Sequence, residues 1–265
     1  MTKKIVFLTG TRAEFGKLSS LMDSVESDNT FECHIFVTGM HTLEKYGNTF
    51  DEIQKKGYKN ITVFHNQTDG NQQDLVLART ITGFSEYVKR ISPDMIIVHG
   101  DRIEALAGAI VGSFNNILVS HIEGGEISGT VDELIRHAVS KLSHIHFTAN
   151  DEATERLIQL GESKNSIFTI GSPDIHVMTN VELPAITEVL NHYEIPFKDF
   201  GVFIFHPVTT ELDTLAEQIN EVVLSLIESD KNFIVIYPNN DNGTEIFLEK
   251  ICELGLFFFN QSNIL

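Results

Sequence analysis

The most constraining feature of this chain is the repeated succession of a short apolar run and a longer stretch of helical periodicity. Runs at 5–10 (IVFLTG), 33–39 (CHIFVTG), 61–65 (ITVFH), 95–100 (MIIVHG), 117–123 (ILVSHIE), 145–149 (IHFTA) and 166–171 (SIFTIG) are dominated by Val, Ile and Phe. They are nearly continuous rather than alternating, as expected of strands covered on both faces. Helical spacing fills 14–27, 73–91, 103–115, 132–142 and 151–160 between them. Repeated strand-then-helix units predict an α/β fold, a doubly wound parallel sheet with right-handed crossovers.

The pattern breaks between Asp174 and Phe200, where Pro173, Pro184 and Pro196 fall and no strong strand occurs. It then resumes with VFIFHP (202–207), a helix near 211–229, FIVIYP (233–238), a helix near 244–254 and LFFFN (256–260). The expectation is a first Rossmann-like domain over 1–176, a linker over 177–199, and a partial second Rossmann-like domain over 200–265. Roughly half a domain of chain follows the linker. The sequence stops just after a strand, at NQSNIL, which would leave a sheet edge uncovered, so it reads as a fragment.

Composition narrows the function classes. The formal charge of −18 argues against nonspecific binding to nucleic acid or to an anionic membrane. A polyanionic ligand would therefore need a local basic site. Cys33 and Cys252 lie far apart with no C-x-x-C, so neither a zinc site nor a disulfide framework is indicated. The start, MTKKIVFLTG, has too short an apolar run for a signal peptide, and nothing approaches a membrane span. The reading is a cytoplasmic protein.

The first strand runs into LTGTRAEFGKLSS (8–20), where a phosphate-binding loop would be expected. A P-loop needs four residues between its glycines and a hydroxyl after the lysine. Here five residues separate Gly10 from Gly16 and Leu18 follows Lys17, and the G-x-G-x-x-G dinucleotide fingerprint is absent too. A helix start after a flexible loop still attracts anions, so Arg12 and Lys17 are either an anion site or ordinary surface cations.

In open α/β sheets ligands sit outside the carboxyl ends of the strands. This chain places Thr11, Arg12, Glu14 and Lys17 after the first strand, and Met40 and His41 after the second. The fourth ends in His99-Gly100-Asp101-Arg102 and the fifth in His121-Ile122-Glu123-Gly124-Gly125-Glu126, with Ser128, Thr130 and Asp132 following. The seventh ends in Gly171-Ser172-Pro173-Asp174; in the second half, His206-Pro207 and the loop Asn239-Asn240-Asp241-Asn242-Gly243 stand at equivalent places. Asp101 and Asp132 could each simply cap a helix. Glu123, at the end of a buried strand, needs a partner, and Arg102, Arg136 or His121 could supply a structural ion pair. Alternatively, three carboxylates on one edge suggest acid–base chemistry with separated pKa values. A deaminase would need a downstream P-C-x-x-C, a serine hydrolase G-x-S-x-G, and a zincin HExxH; none is present, so neither a metal nor a cofactor is expected.

The segments GTRAEFGK, VTGMHTLEKYGNTF, HGDRIEALAGA, HIEGGEISGTVDELIRHAVSK, IGSPD, HPVTTE and YPNNDNG resemble, in order along the whole chain, the hydrolysing UDP-N-acetylglucosamine 2-epimerases. The resemblance implies a glycosyltransferase-B-like fold of two Rossmann-like domains with the nucleotide sugar between them, the second incomplete here. It implies elimination of UDP to 2-acetamidoglucal followed by hydration to free N-acetylmannosamine, on the way to sialic acid. It matches Asp101, Glu123, Asp132 and His206 to catalytic positions but leaves the C2 base open; the expectation is Asp101 or Asp132 as that base, with Glu123 serving hydration. Arg12 and Lys17 match loop residues facing the diphosphate and sugar. His41, Arg102, Ser172, Asp174, Asn239, Asp241 and Gly243 stand at substrate-binding positions. The partners implied are a UDP-sugar substrate and a second copy, as homodimer or homotetramer. The family continues into a UDP-gripping loop that this sequence lacks, so the 265-residue chain alone is expected to be weak or inactive. The same chemistry on a UDP-2,4-diacetamido sugar, a glycosyltransferase of the same fold, and a non-catalytic nucleotide-sugar sensor are the alternatives.

Overall fold

A computed structural model of the chain describes residues 2–44, 47, 49–68, 72–180, 183–208, 211–236, 238 and 243–253. The chain divides into two compact units, Met1–Val181 and Glu182–Leu265.

The first unit is a parallel seven-stranded sheet. Its strands are β1 (Lys3–Thr9), β2 (Phe31–Val37), β3 (Ile61–Val63), β4 (Met95–His99), β5 (Leu118–Ile122), β6 (Ile145–Thr148) and β7 (Ile167–Thr169). They lie in the order β3-β2-β1-β4-β5-β6-β7. Helices α1 (Arg12–Ser27), α2 (Phe50–Lys55), α3 (Gln73–Ile91), α4 (Ile103–Phe114), α5 (Val131–Lys141), α6 (Asp151–Gln159) and α7 (Pro173–Asn180) connect or follow them. The continuous apolar strands are explained by two cores, one on each face. Val6 and Leu8 of β1 join Phe84 and Val88 of α3 and Ala105 and Ala109 of α4. Ile5 and Phe7 of the same strand point the other way, to Leu18 and Met22 of α1 and Ile53 of α2. Strand order reverses between β1 and β4, and such a switch point opens a crevice at the strands' carboxyl ends.

The stretch around the expected linker, 177–199, holds helical turns that the sequence reading did not assign. Residues 173–192 hold α7 and then α8 (Ile186–His192). Pro173 is the first residue of α7, where proline's missing N–H would have had no intrahelical partner anyway. It starts a helix rather than breaking one. The six-residue α2 went unread for a different reason, being too short to show a period.

In the second unit β8 (Gly201–Phe203) pairs in parallel with β9 (Phe233–Val235), with α9 (Leu212–Glu228) between them in sequence and α10 (Thr244–Glu253) after. Leu215, Ile219 and Val223 of α9 pack with Val235, Phe247 and Ile251 as a separate core. The strand expected at 256–260 lies outside the described residues.

Candidate active site

The site grows from the ends of β1, β4 and β5, the strands nearest the switch point. After β1 the chain turns through Gly10 and Thr11 into α1. Thr11 caps the helix, its Oγ1 accepting from the N–H of Glu14 at 3.3 Å. Glu14 reaches back, its Oε2 accepting from the N–H groups of Gly10 at 2.7 Å and Thr11 at 3.0 Å. The loop N–H groups that would cradle a phosphate are thus held by the chain's own carboxylate. Burial raises the pKa of Glu14, and nearby Glu104 raises it further. An anion arriving here would meet side chains rather than these two N–H groups.

Arg12 opens α1, and its Nε donates to Oε2 of Glu52 on α2 at 2.9 Å. Lys17 lies on the same helix; its Nζ stands 2.9 Å from Oε2 of Glu123 and 3.1 Å from Oδ2 of Asp174. Burial would lower the pKa of Lys17, but its bonds to Glu123 and Asp174 outweigh it and the value is raised.

Glu123 follows the last residue of β5, and register sets His99, the last of β4, beside Ile122. The Nε2 of His99 lies 2.9 Å from Oε2 of Glu123, and Ser172 donates its Oγ–H to Oε1 at 3.3 Å. Burial alone would raise this carboxyl, yet His99 and Lys17 bring it down to about 2. The backbone at Glu123 is left-handed, with φ of 60°. The next turn is tighter still: a Cβ on Gly125, whose φ is +84°, would meet the carbonyl oxygen of Ala153 at 2.4 Å. The sequence HIEGGE is therefore a constrained turn that aims one carboxylate along the sheet edge. The structural ion pair considered for Glu123 from sequence, with Arg102, Arg136 or His121, is not formed; its partners are Lys17 and His99.

Asp101 pairs with Nη2 of Arg136 on α5. It does not cap α4, whose N-cap residue is Arg102. Nε of Arg102 lies 3.4 Å from Oε2 of the buried Glu104. Asp132 does not cap α5 either: Thr130 does, accepting from the Asp132 N–H at 3.3 Å. The Asp132 side chain is exposed. Below the Gly100–Asp101 turn His121 is fully buried, its Nε2 donating to the carbonyl of Gly100 at 2.8 Å. Burial brings its pKa down to about 3.

His41 corrects an expectation. It was assigned to substrate contact, but it is 0% exposed. Its ring nitrogens lie 3.0 Å from Thr9 Oγ1 and 2.7 Å from Thr49 Oγ1. It braces the loops from within, and burial holds its pKa at about 3. Ser172 and Asp174 do reach the cluster around Glu123 and Lys17. A cavity of about 260 Å³ adjoins it, lined by Lys17, Leu21, Ile122, Ile170 and Ser172.

In the second unit His206 follows β8 and is exposed, and Gly243 precedes α10 with φ of +93°. Asn239 and Asp241 lie outside the described residues. Sequence reasoning passed over two groups of the first unit. His99 was noted at a strand end but given no role, although adjacency of β4 and β5 would have joined it to Glu123. Arg136 was considered only as a partner for Glu123.

The family model described as UDP-N-acetylglucosamine 2-epimerase matches residues 23–261. The chain is 47% identical over 249 residues to a UDP-N-acetylglucosamine 2-epimerase of Neisseria meningitidis serogroup B, covering 94% of this chain and 66% of the relative. It is 35% identical over 258 residues to a UDP-N,N'-diacetylbacillosamine 2-epimerase (hydrolyzing) of Legionella pneumophila, covering 96% and 68% respectively. The chain thus spans about two thirds of the length of these relatives. Among solved structures, the S. aureus MnaA–UDP complex superposes with a TM-score of 0.77 at 22% identity, over 99% of this chain and 71% of that one. That likeness is one of fold, glycosyltransferase-B-like.

Proposed function

Because the chain belongs to the UDP-N-acetylglucosamine 2-epimerase family, we propose that it works in the hydrolysing branch, turning UDP-N-acetylglucosamine and water into N-acetylmannosamine and UDP. In the first step the C2–H and C1–O bonds break, C1=C2 forms and UDP departs. In the second, water adds hydroxyl at C1 and a proton at C2 on the opposite face.

The observation that carries this reading is the cluster at the end of β5: a carboxylate held ionised by Lys17 and His99, beside the Asp101–Arg136 pair. An ionised Glu123 can accept a hydrogen bond from the water of the hydration step and orient it. Asp101 or Asp132 takes the proton from C2. Lys17, Arg12 and Arg102 meet the diphosphate, where charge grows as UDP leaves. His206 is the further residue proposed as an acid–base group.

A second reading keeps the chemistry and changes the sugar. The Legionella relative bears the name of an enzyme acting on UDP-N,N'-diacetylbacillosamine. One assay separates the two: incubation of the full-length protein with each nucleotide sugar in D₂O, following free UDP and deuterium at C2. Preferred turnover of UDP-N-acetylglucosamine with deuterium at C2 is expected. UDP release without deuterium would overturn the elimination–hydration reading, and preference for the diacetamido sugar would select the alternative.

A further inference from the structure

We propose that His99 is a positioning residue: it holds Oε2 of Glu123 so that Oε1 is the oxygen presented to the attacking water. This rests on the hydrolysing reading above. The two oxygens of Glu123 are not equivalent. Oε2 receives both the Nε2 of His99 and the Nζ of Lys17, each at 2.9 Å. Oε1 receives the hydroxyl of Ser172 at 3.3 Å, a longer and weaker contact that water can share or replace. A lone pair committed to a short bond with a cation is a poor proton acceptor, so the basic face of this carboxylate is Oε1.

The imidazole also declares its tautomer. His99 is 6% exposed, and among the described residues its Nδ1 has no hydrogen-bond partner. A proton there would be a buried, unpaired donor, whereas on Nε2 it is bonded to Glu123. The N–H bonded to Oε2 is therefore the one on Nε2. The division of labour with Lys17 follows. Lys17 is shared with Asp174 at 3.1 Å, and an arriving diphosphate competes for it. Among the described residues His99 has no competing partner on that nitrogen, and as the end of β4 it is fixed by the sheet. When Lys17 turns to the ligand, His99 keeps Glu123 aimed.

The test compares His99→Gln with His99→Asn. A glutamine amide can place an N–H where Nε2 stands; an asparagine amide, one methylene shorter, cannot. The groups facing Glu123 are Lys17 from α1, His121 from β5, and Ser172 and Asp174 from the start of α7, and both variants leave all of them in place. The readout is the side-chain carboxyl ¹³C signal of Glu123 against pH in protein labelled at glutamate, assigned with Glu123→Gln. In His99→Asn the midpoint is expected to rise by about one to two pH units, the loss of one hydrogen bond to a charged group. In His99→Gln it stays near the wild-type position. Turnover of UDP-N-acetylglucosamine is expected to follow, with kcat at least about tenfold lower in His99→Asn, KM little changed, and kcat recovered in His99→Gln. Identical titrations in the two variants, or an unmoved midpoint in His99→Asn, would overturn the proposal. Separated titrations in a full-length protein that turns over no UDP-sugar would instead remove the hydrolysing reading and leave the hold on Glu123 standing.

Discussion

At the scale of single residues, the charge on Glu123 is set by a contest. Desolvation favours the neutral acid, and two donors on Oε2 favour the anion and win. Lys17 is one of those donors and the cation proposed to meet the diphosphate, so its removal strikes twice. Lys17→Ala is expected to lower kcat/KM about a hundredfold or more. Because the pair is partly exposed, stability should change by no more than about 1 kcal/mol, as read by urea denaturation. In the full-length protein, Asp101→Asn, Glu123→Gln and Asp132→Asn should each cut turnover at least about tenfold; near wild-type rates in all three would remove the assignment. ATP has no cradle beside Lys17, since Glu14 already holds the N–H groups of Gly10 and Thr11, and calorimetry should register no ATP binding there. Residue types and edge positions were readable from the sequence. Partners were not: Lys17 and Glu123 stand 106 positions apart, and nothing local says which cation a strand-end carboxylate will meet.

At the scale of elements, geometry is enforced by turns. Gly125 carries both a left-handed backbone and a backbone oxygen where a Cβ would stand, whereas Gly129 has φ of +69° with open space around it. Gly125→Ala is therefore expected to destabilise by about 2–4 kcal/mol, from backbone strain and overpacking together. Gly129→Ala, with strain alone, should cost about 1–2 kcal/mol. Urea midpoints with unchanged slope would measure both, and equal losses would refute the contact with Ala153. The strands of the first unit were legible because β1, β2, β4 and β5 are buried on both faces and so written in Val, Ile and Phe, while the shorter, less buried β3, β6 and β7 use the same residue types. Helices α7 and α8 were not, because prolines near a helix start look like breakers when the sequence is read without its backbone. His41 was misplaced for a related reason: a histidine just past a strand reads the same whether its ring turns outward or, as here, inward beneath the loop.

For the whole molecule, the buried histidines set an acid limit. His41 and His121 are fully buried and hold pKa values of about 3, well below the usual 6.5. Below pH 6.5 the unfolded chain binds protons that the folded one refuses, so stability is intact above that pH and falls as pH drops toward 3. Between pH 7.5 and 5 the pair should account for a loss on the order of 2–4 kcal/mol, seen by denaturation at the two values. Glu14, its pKa raised by burial, works in the opposite sense as pH falls through its folded value, one group against two. The α/β class and the family were visible from sequence because strand-end motifs survive in order along the chain. The internal electrostatics were not visible, because they depend on burial. They carry a kinetic corollary. The cations around the strand ends are already matched: Arg12 by Glu52, Lys17 by Glu123 and Asp174, Arg102 by Glu104, Arg136 by Asp101. The proposed nucleotide diphosphate, approaching a chain of net charge −18, would then be met at a distance by repulsion and gain attraction only once it exchanged places with a carboxylate. Added salt should speed its capture, opposite to the slowing seen where a ligand is steered in by charge, and stopped-flow association rates measured across ionic strength would show the sign.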